Sequence, residues 1–314
     1  MSLKTTAPTL ASTRPRMAFI GAGRIARVLA PALQAAGCEI VAVASRTPAS
    51  AQALVERLRQ DGGAAEALSM QAAADAADWV WLSVVDDAIA PTAAALRWRP
   101  GQAALHLSGA TEVGTALRAA SDQGAAVAGF HPLQIFSDPV LAAQRLRGSS
   151  VAIEASDDGL RAQLEALADA LGLPVLRLPP GTRPLYHAGA AYAASYLLAM
   201  LDEAASVWRS LGIDEAATLR ALLPLAHLSL DAAAERTLAG AQAGPIARGD
   251  AAVVRRQISA LGELGASHAA FYRELGQRQL VLARRAGRLD EAALTRLEKA
   301  LGDTQDPAPE APGQ

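Results

Sequence analysis

Cysteine is nearly missing from this chain of 314 residues, since Cys38 stands alone. That excludes an internal disulfide framework and a thiolate metal cluster, and it fits a reducing cytoplasm. Lysine is almost as scarce: Lys4 and Lys299 both lie beside the chain ends, so no lysine in the middle of the chain is available as a proton donor. Aromatic residues make up 4% of the chain, and its 51% hydrophobic content rests largely on alanine and leucine, which favours helix. A net charge of −2 offers no electrostatic case for nucleic acid or an anionic membrane. No apolar run reaches the ~18 residues expected of a membrane span. The Thr-, Ala- and Pro-rich start lacks the apolar stretch of a secretion signal. The length allows two domains and a sizeable core.

What is present is organised around Met17 to Arg46. The strand Met17-Ala18-Phe19-Ile20 runs into Gly21-Ala22-Gly23-Arg24-Ile25-Ala26, after which Val28, Leu29, Ala32, Leu33 and Ala36 recur at helical spacing. This is a dinucleotide-binding fingerprint in its required context of strand, glycine turn, helix and second strand. Gly21 permits the tight turn, Gly23 lets the backbone approach a pyrophosphate, and small Ala26 lets the helix pack near the sheet. The residues Gly21, Ala22, Gly23, Arg24 and Ile25 then present free amides and the positive end of the helix to the phosphates. The second strand, Glu39 to Ala44, ends in Ser45-Arg46-Thr47, not in the acid that would bond a ribose 2′-hydroxyl. Two hydroxyls and a forked, permanently charged guanidinium suit a 2′-phosphate, so NADP is preferred to NAD. The plainer reading of Arg46 is a surface turn.

Alternating strands and helices continue to Leu178 and predict a doubly wound parallel sheet. A helix from Pro48, a weak strand near Ala65 and the apolar run Trp79 to Val85 follow in turn. Val84, Val85 and Asp86 end that run and are expected to pass beside the cofactor's ribose and nicotinamide, although Asp86 and Asp87 suit helix caps equally well. The strand from Ala125 is expected to break at Phe130. Pro179-Pro180-Gly181 ends the alternation, and the remainder reads as all helix. Tyr186 to Leu211 is apolar nearly all round, long enough for a buried central helix that a partner chain would cover. The expected organisation is a loose tail at 1–15, a dinucleotide-binding domain at 16–178, a helical dimerisation and substrate domain at 179–302 and a second tail at 303–314.

Two polar residues at strand ends, Ser108 and His131, should face the same crevice as Gly21 and could meet a substrate there. Histidine is the natural proton carrier near neutral pH, and a serine hydroxyl could hold it or the substrate oxygen. Plainer readings exist: His131 as a turn residue before Pro132, Ser108 as a helix cap, His106 as core. His187 fits either a pocket or an interface, and no histidine spacing suggests a metal site.

The segments Gly21-Ala22-Gly23-Arg24, Leu107-Ser108-Gly109-Ala110, Gly129-Phe130-His131-Pro132-Leu133-Gln134, Tyr186-His187-Ala188 and Gly244-Pro245-Ile246-Ala247-Arg248-Gly249-Asp250 carry a family likeness. Together they resemble the uncharacterised bacterial Rossmann-like oxidoreductases with a helical C-terminal domain of unknown function. The resemblance implies NADP binding, a homodimer built through helices, and kinship with 6-phosphogluconate, 3-hydroxyisobutyrate and prephenate dehydrogenases and pyrroline-5-carboxylate reductase. It supplies no substrate. The lysine that the first two types and ketopantoate reductase use has no counterpart in the first long helix here, which also carries Ala194-Ser195 where Ser-Asn is expected. A His-Pro motif after one strand and a serine after the previous one are similar to prephenate dehydrogenase.

These readings converge on an α/β Rossmann sheet followed by an all-α C-terminal domain. The expected activity is NADP-dependent hydride transfer to or from a small hydroxy, oxo or imino compound, with His131 and Ser108 managing the proton. The alternatives are an NADP-binding sensor or scaffold without turnover, and a deazaflavin-linked NADP reductase.

Overall fold

The structure is a computed structural model that describes residues 15–302; the expected tails, Pro15 apart, lie outside the described residues. In chain order the elements are β1 (Arg16–Ile20), α1 (Arg24–Ala35), β2 (Glu39–Ala44), α2 (Pro48–Gln60), β3 (Glu66–Ala67), α3 (Met70–Asp75), β4 (Trp79–Leu82), α4 (Asp86–Ala95), β5 (Ala103–His106), α5 (Val113–Ala116), α6 (Arg118–Ser121) and β6 (Ala126–Pro132). They continue with α7 (Pro139–Gln144), β7 (Val151–Ala155), α8 (Asp158–Leu171), β8 (Val175–Arg177), α9 (Arg183–Ala193), α10 (Ser195–Arg209), α11 (Glu215–Gly240), α12 (Gly244–Ala247), α13 (Ala251–Leu264), α14 (Ala266–Ala286) and α15 (Glu291–Gly302). Two compact units divide between Tyr192 and Ala193.

The first unit is built on one sheet in the order β3-β2-β1-β4-β5-β6-β7-β8. Its central strands are buried on both faces, while the edge strands β3 and β8 are largely exposed, and alternate residues of the central strands serve different cores. Met17 and Phe19 of β1 pack with Trp79, Trp81, Phe130, Leu29 and Leu33, while Ala18 and Ile20 pack with Val80, Leu82, Ile89 and Ala93 on the other face. Trp81 anchors the first core, stacked on Phe19 at 5.9 Å and set edge-on to Phe130 at 5.5 Å. Strand order reverses at β1, because the chain moves to β2 and β3 on one side and to β4, β5 and β6 on the other. The C-terminal ends flanking that point form the crevice of an open α/β sheet.

The sheet departs from the expected all-parallel form in one pairing: β7 runs antiparallel to β6. The same pairing corrects the expected break at Phe130. Phe130, His131 and Pro132 remain in β6 because Ile153, Ala152 and Val151 lie opposite them, a long-range partner that no local pattern announces.

The second unit is helical. Its core comes from α12 to α15, where Val254, Ile258, Leu280, Leu294, Leu297 and Leu301 are buried together. Asp214 and Asp250 cap α11 and α13 by accepting bonds from the amides of Ala217 and Val253. The expected continuous helix from Tyr186 to Leu211 is instead two helices, interrupted at Ala194 (φ −117°, ψ −89°), beside the boundary between the compact units. Nor is it buried within the chain. On α10 and α11, Tyr196, Leu198, Leu225 and Leu228 are each more than half exposed. Among the described residues no helix is long and apolar enough to cross a membrane.

Candidate active site

The crevice is built from the loops that leave β1, β2, β4, β5 and β6. At the first, Gly21 has φ +105°, and a Cβ there would lie 2.0 Å from the main-chain oxygen of Ser83. Only glycine permits both that conformation and that approach. The Gly21 amide donates to Ala44 O at 2.7 Å, so the turn is tied to the end of β2. Gly23 is the N-cap of α1, and no side chain caps this helix and no acid occupies its first turn. A Cβ on Gly23 would meet nothing within 4 Å. Unshared amides at the positive end of a helix, behind an open glycine, are what a pyrophosphate requires.

The other expected cofactor residues stand around this turn. Ala22 is buried, Ile25 half-buried and Arg24 exposed. Ser45 is half-buried, while Arg46 and Thr47 are exposed where β2 gives way to α2. The Thr47 amide donates to Ser45 Oγ at 3.3 Å. Ser83 and Val84 meet Gly21 directly. Val85, three-quarters exposed, is the N-cap of α4, and Asp86 and Asp87 form its acidic first turn, where carboxylates complement the helix dipole. Of these, exposed Arg24 and Arg46 carry the positive charge and Ser45 and Thr47 the hydroxyls that a phosphate-bearing ligand would need here.

His131, at the end of β6, lies three strands from β1, roughly 14 Å at the usual strand spacing. Its Nδ1 is 3.0 Å from Tyr186 OH on α9, and its ring centroid is 6.0 Å from that of His187. Gly109 fills the space beneath: a Cβ there would lie 2.6 Å from His187 Cδ2, 2.7 Å from His131 Cε1 and 2.9 Å from His131 Nε2. Burial first, then the nearby His187 and Arg183, lower His131 from 6.5 to about 4, so its imidazole is neutral at pH 7. Burial raises the Tyr186 hydroxyl above its ordinary value, against the pull of Arg183, so it stays protonated.

Ser108 stands next to this group but faces its own turn. Its hydroxyl donates to Thr111 Oγ1 at 2.8 Å and accepts from the amides of Ala110 (3.2 Å) and Thr111 (3.0 Å). Its Oγ therefore holds the β5 turn in shape, and no hydrogen bond between it and His131 is found among the described residues.

Three residues of the site escaped sequence reasoning. Arg183, fully buried, donates from Nε to Glu154 Oε2 and from Nη1 to Ser108 O, both at 2.7 Å. Glu112 accepts from the amides of Gly181 (3.0 Å) and Arg183 (3.1 Å) and so caps the start of α9. The available signal was Glu154, the one acid in the apolar strand Val151-Ala152-Ile153-Glu154-Ala155, since a buried carboxylate calls for a cationic partner. Burial raises its carboxyl against the opposing Arg183.

An uncapped helix N-terminus behind a glycine turn, at the switch point of a mostly parallel sheet, defines a dinucleotide-binding protein of the Rossmann class. Residues 16–105 match the family described as NADP oxidoreductase coenzyme F420-dependent, and residues 149–279 match a Domain of unknown function (DUF2520). The chain's N-terminal part is thus similar to an NADP oxidoreductase domain, and its C-terminal part to this domain of unknown function. Its cofactor is NADP.

Solved structures share the fold. BF3122 from Bacteroides fragilis, provisionally described as an NADP oxidoreductase, is 24% identical with a TM-score of 0.63, over 88% of this chain and 99% of that one. A reductive aminase from Aspergillus terreus in complex with NADPH and ethyl-5-oxohexanoate is 18% identical with a TM-score of 0.56, over 92% and 93%. A 1-pyrroline-5-carboxylate reductase from Streptococcus pyogenes is 16% identical with a TM-score of 0.55, over 92% and 99%. No curated protein matches the chain.

Proposed function

We propose that the protein reduces a small oxo or imino compound with NADPH, or oxidises the corresponding hydroxy compound in reverse, and that His131 and Tyr186 handle the proton. The observation that carries this reading is the 3.0 Å contact between His131 Nδ1 and Tyr186 OH at the end of β6, over a glycine that leaves both histidine rings room. The reductive aminase, solved with NADPH and the oxo ester ethyl-5-oxohexanoate, supports an oxo compound among the candidates.

NADPH, when bound, supplies the hydride. The amides of Gly23, Arg24 and Ile25 hold its pyrophosphate, and Ser45, Arg46 and Thr47 hold the 2′-phosphate beside them. Val84, Val85 and Asp86, at the end of β4 and the start of α4, would be the residues nearest its ribose and nicotinamide. His131, neutral at pH 7, accepts the proton of a hydroxy substrate in the oxidative direction. In the reductive direction the scarce protonated form must donate, so that rate falls as pH rises above about 4. Tyr186, kept protonated by burial, orients the imidazole through Nδ1. Ser108 serves by shaping the turn that carries Gly109.

Residues 16–178 take the cofactor role in this reading, and residues 179–302 the dimerisation and substrate role. The exposed apolar side chains of α10 and α11 support a homodimer formed through the helical unit. Replacing His131 with Asn tests the chemistry. Turnover of oxo and imino substrates should fall roughly 10²- to 10⁴-fold while NADPH affinity stays the same, and parental turnover in this variant would remove the proposal.

A further inference from the structure

The proton-handling pair does not explain why His106, Glu154 and Arg183 are buried beside it. The register of the sheet does. Gly129 on β6 pairs with His106 on β5 at one side and with Glu154 on β7 at the other. Paired positions share a face of the sheet, and His131, two residues further along β6, shares that face too. The absent side chain of Gly129 leaves a gap in this row. A Cβ there would lie 2.0 Å from Nη2 and 2.5 Å from Cζ of Arg183, so the guanidinium lies across Gly129.

From that seat Arg183 makes its bonds in two directions. Nε reaches Glu154 and Nη1 reaches the main-chain oxygen of Ser108. Its own amide donates to Glu112. Nη2, pressed on Gly129, has no acceptor. Burying a guanidinium with one nitrogen unsatisfied weakens the case for a merely stabilising pair, because an apolar pair of similar volume serves stability as well. A planar fork fixes angles that an apolar contact does not.

We propose that Arg183 is the positioning residue of the His131 centre: seated in the Gly129 gap, it joins the first turn of α9 to the ends of β5 and β7 and so sets where Tyr186 and His187 stand against His131. The inference rests on the reading of His131 as the proton-handling group. Arg183 also acts through charge. The groups around His131 are Tyr186, His187 and Arg183 from α9 and His106 from β5, with Glu154 of β7 and Glu112 bound to Arg183. His106 accepts the Ser108 amide on Nδ1 at 3.2 Å and is lowered to about 3 by burial, then Arg183, then His131. The one fixed positive charge in this row is the guanidinium.

The test uses three variants of the full chain with labelled histidine side chains. Arg183→Met combined with Glu154→Gln removes the pair without leaving a lone charge. Gly129→Ala, on ordinary extended backbone, pushes the guanidinium off its seat and alters no charge. Arg183→Lys keeps the charge and loses the fork. The readouts are the His131 titration midpoint by NMR, the pH profile of turnover and the NADPH dissociation constant.

In the double variant and in Gly129→Ala the His131 midpoint should rise slightly above about 4, since burial and then His187 hold it down ahead of Arg183. Turnover should fall at least about tenfold with NADPH affinity unchanged, and Arg183→Lys should restore the midpoint but not the turnover. Parental turnover with a parental pH profile in the folded double variant, or in Gly129→Ala where the double variant does not fold, overturns the proposal. Failure of the functional reading shows itself elsewhere, as turnover indifferent to His131→Asn, and leaves the NMR midpoints to decide the role of Arg183.

Discussion

Gly109→Ala is the sharpest probe of the catalytic geometry. The backbone there is not left-handed, so an L-residue is accepted and only the added methyl matters. It would stand 2.6 Å from His187 Cδ2 and 2.7 Å from His131 Cε1, where ordinary carbon contacts need about 3.5 Å or more. Each ring must therefore retreat by about 0.8 to 1 Å. His131 Nδ1 is also tied to Tyr186 OH at 3.0 Å, near the middle of the hydrogen-bonding range, so moving the ring distorts or breaks that bond. Displacing a reacting group by about 1 Å costs on the order of 10²-fold in rate, and the overpacking costs about 1–3 kcal/mol of stability. Gly109 is remote from the α1 turn in the sheet order, so NADPH binding should stay within about twofold of the parent. NADPH oxidation with a panel of oxo acids and imines gives the rate, a fluorescence titration gives the affinity, and thermal denaturation confirms folding. A folded variant turning over within about twofold of the parent would refute the claim that these two rings limit the chemistry.

Three further outcomes are expected. Arg46→Asp exchanges an exposed cation for an anion where β2 ends; it should weaken NADPH roughly 10- to 100-fold and leave NADH untouched, and an equal loss for both would show that Arg46 does not read the 2′-phosphate. Folding stability should depend on acidity through His106 and His131, whose folded values of about 3 and about 4 lie below the ordinary 6.5. The unfolded chain binds these protons first, so their contribution is present above about 6.5 and is lost as pH falls toward 4, by up to about 1.4 kcal/mol per pH unit for each histidine. Glu154, raised by burial, opposes this just above the usual carboxylate value. A urea midpoint that stays flat between pH 7 and 5 contradicts the burial of both imidazoles as neutral groups. Finally, light scattering on the eluting protein should return twice the 32.3 kDa chain mass, and a monomer peak would end the dimer proposal.

The stretch from β1 through Arg46 was legible in the sequence because everything in it is local. Alternating burial in Met17 to Ile20, the glycine that must adopt φ +105° and the helical stripe of Val28, Leu29 and Leu33 are properties of near neighbours. The apolar run at Trp79 likewise announces a strand covered on both faces. His131 and Ser108 were found as polar residues at strand ends, for the same reason.

The tertiary structure alone decided what those ends do. It gave the Ser108 hydroxyl to its own turn, extended β6 through His131 by laying β7 antiparallel beside it, and interrupted the long apolar helix at Ala194. Above all it brought Arg183 across Gly129, and Tyr186 and His187 onto His131, between residues far apart in the chain. Hydrophobic periodicity and backbone preference act over a turn or two and are written into composition and spacing. A guanidinium filling a missing side chain on another strand depends on strand register and packing, which exist only once the chain has closed on itself.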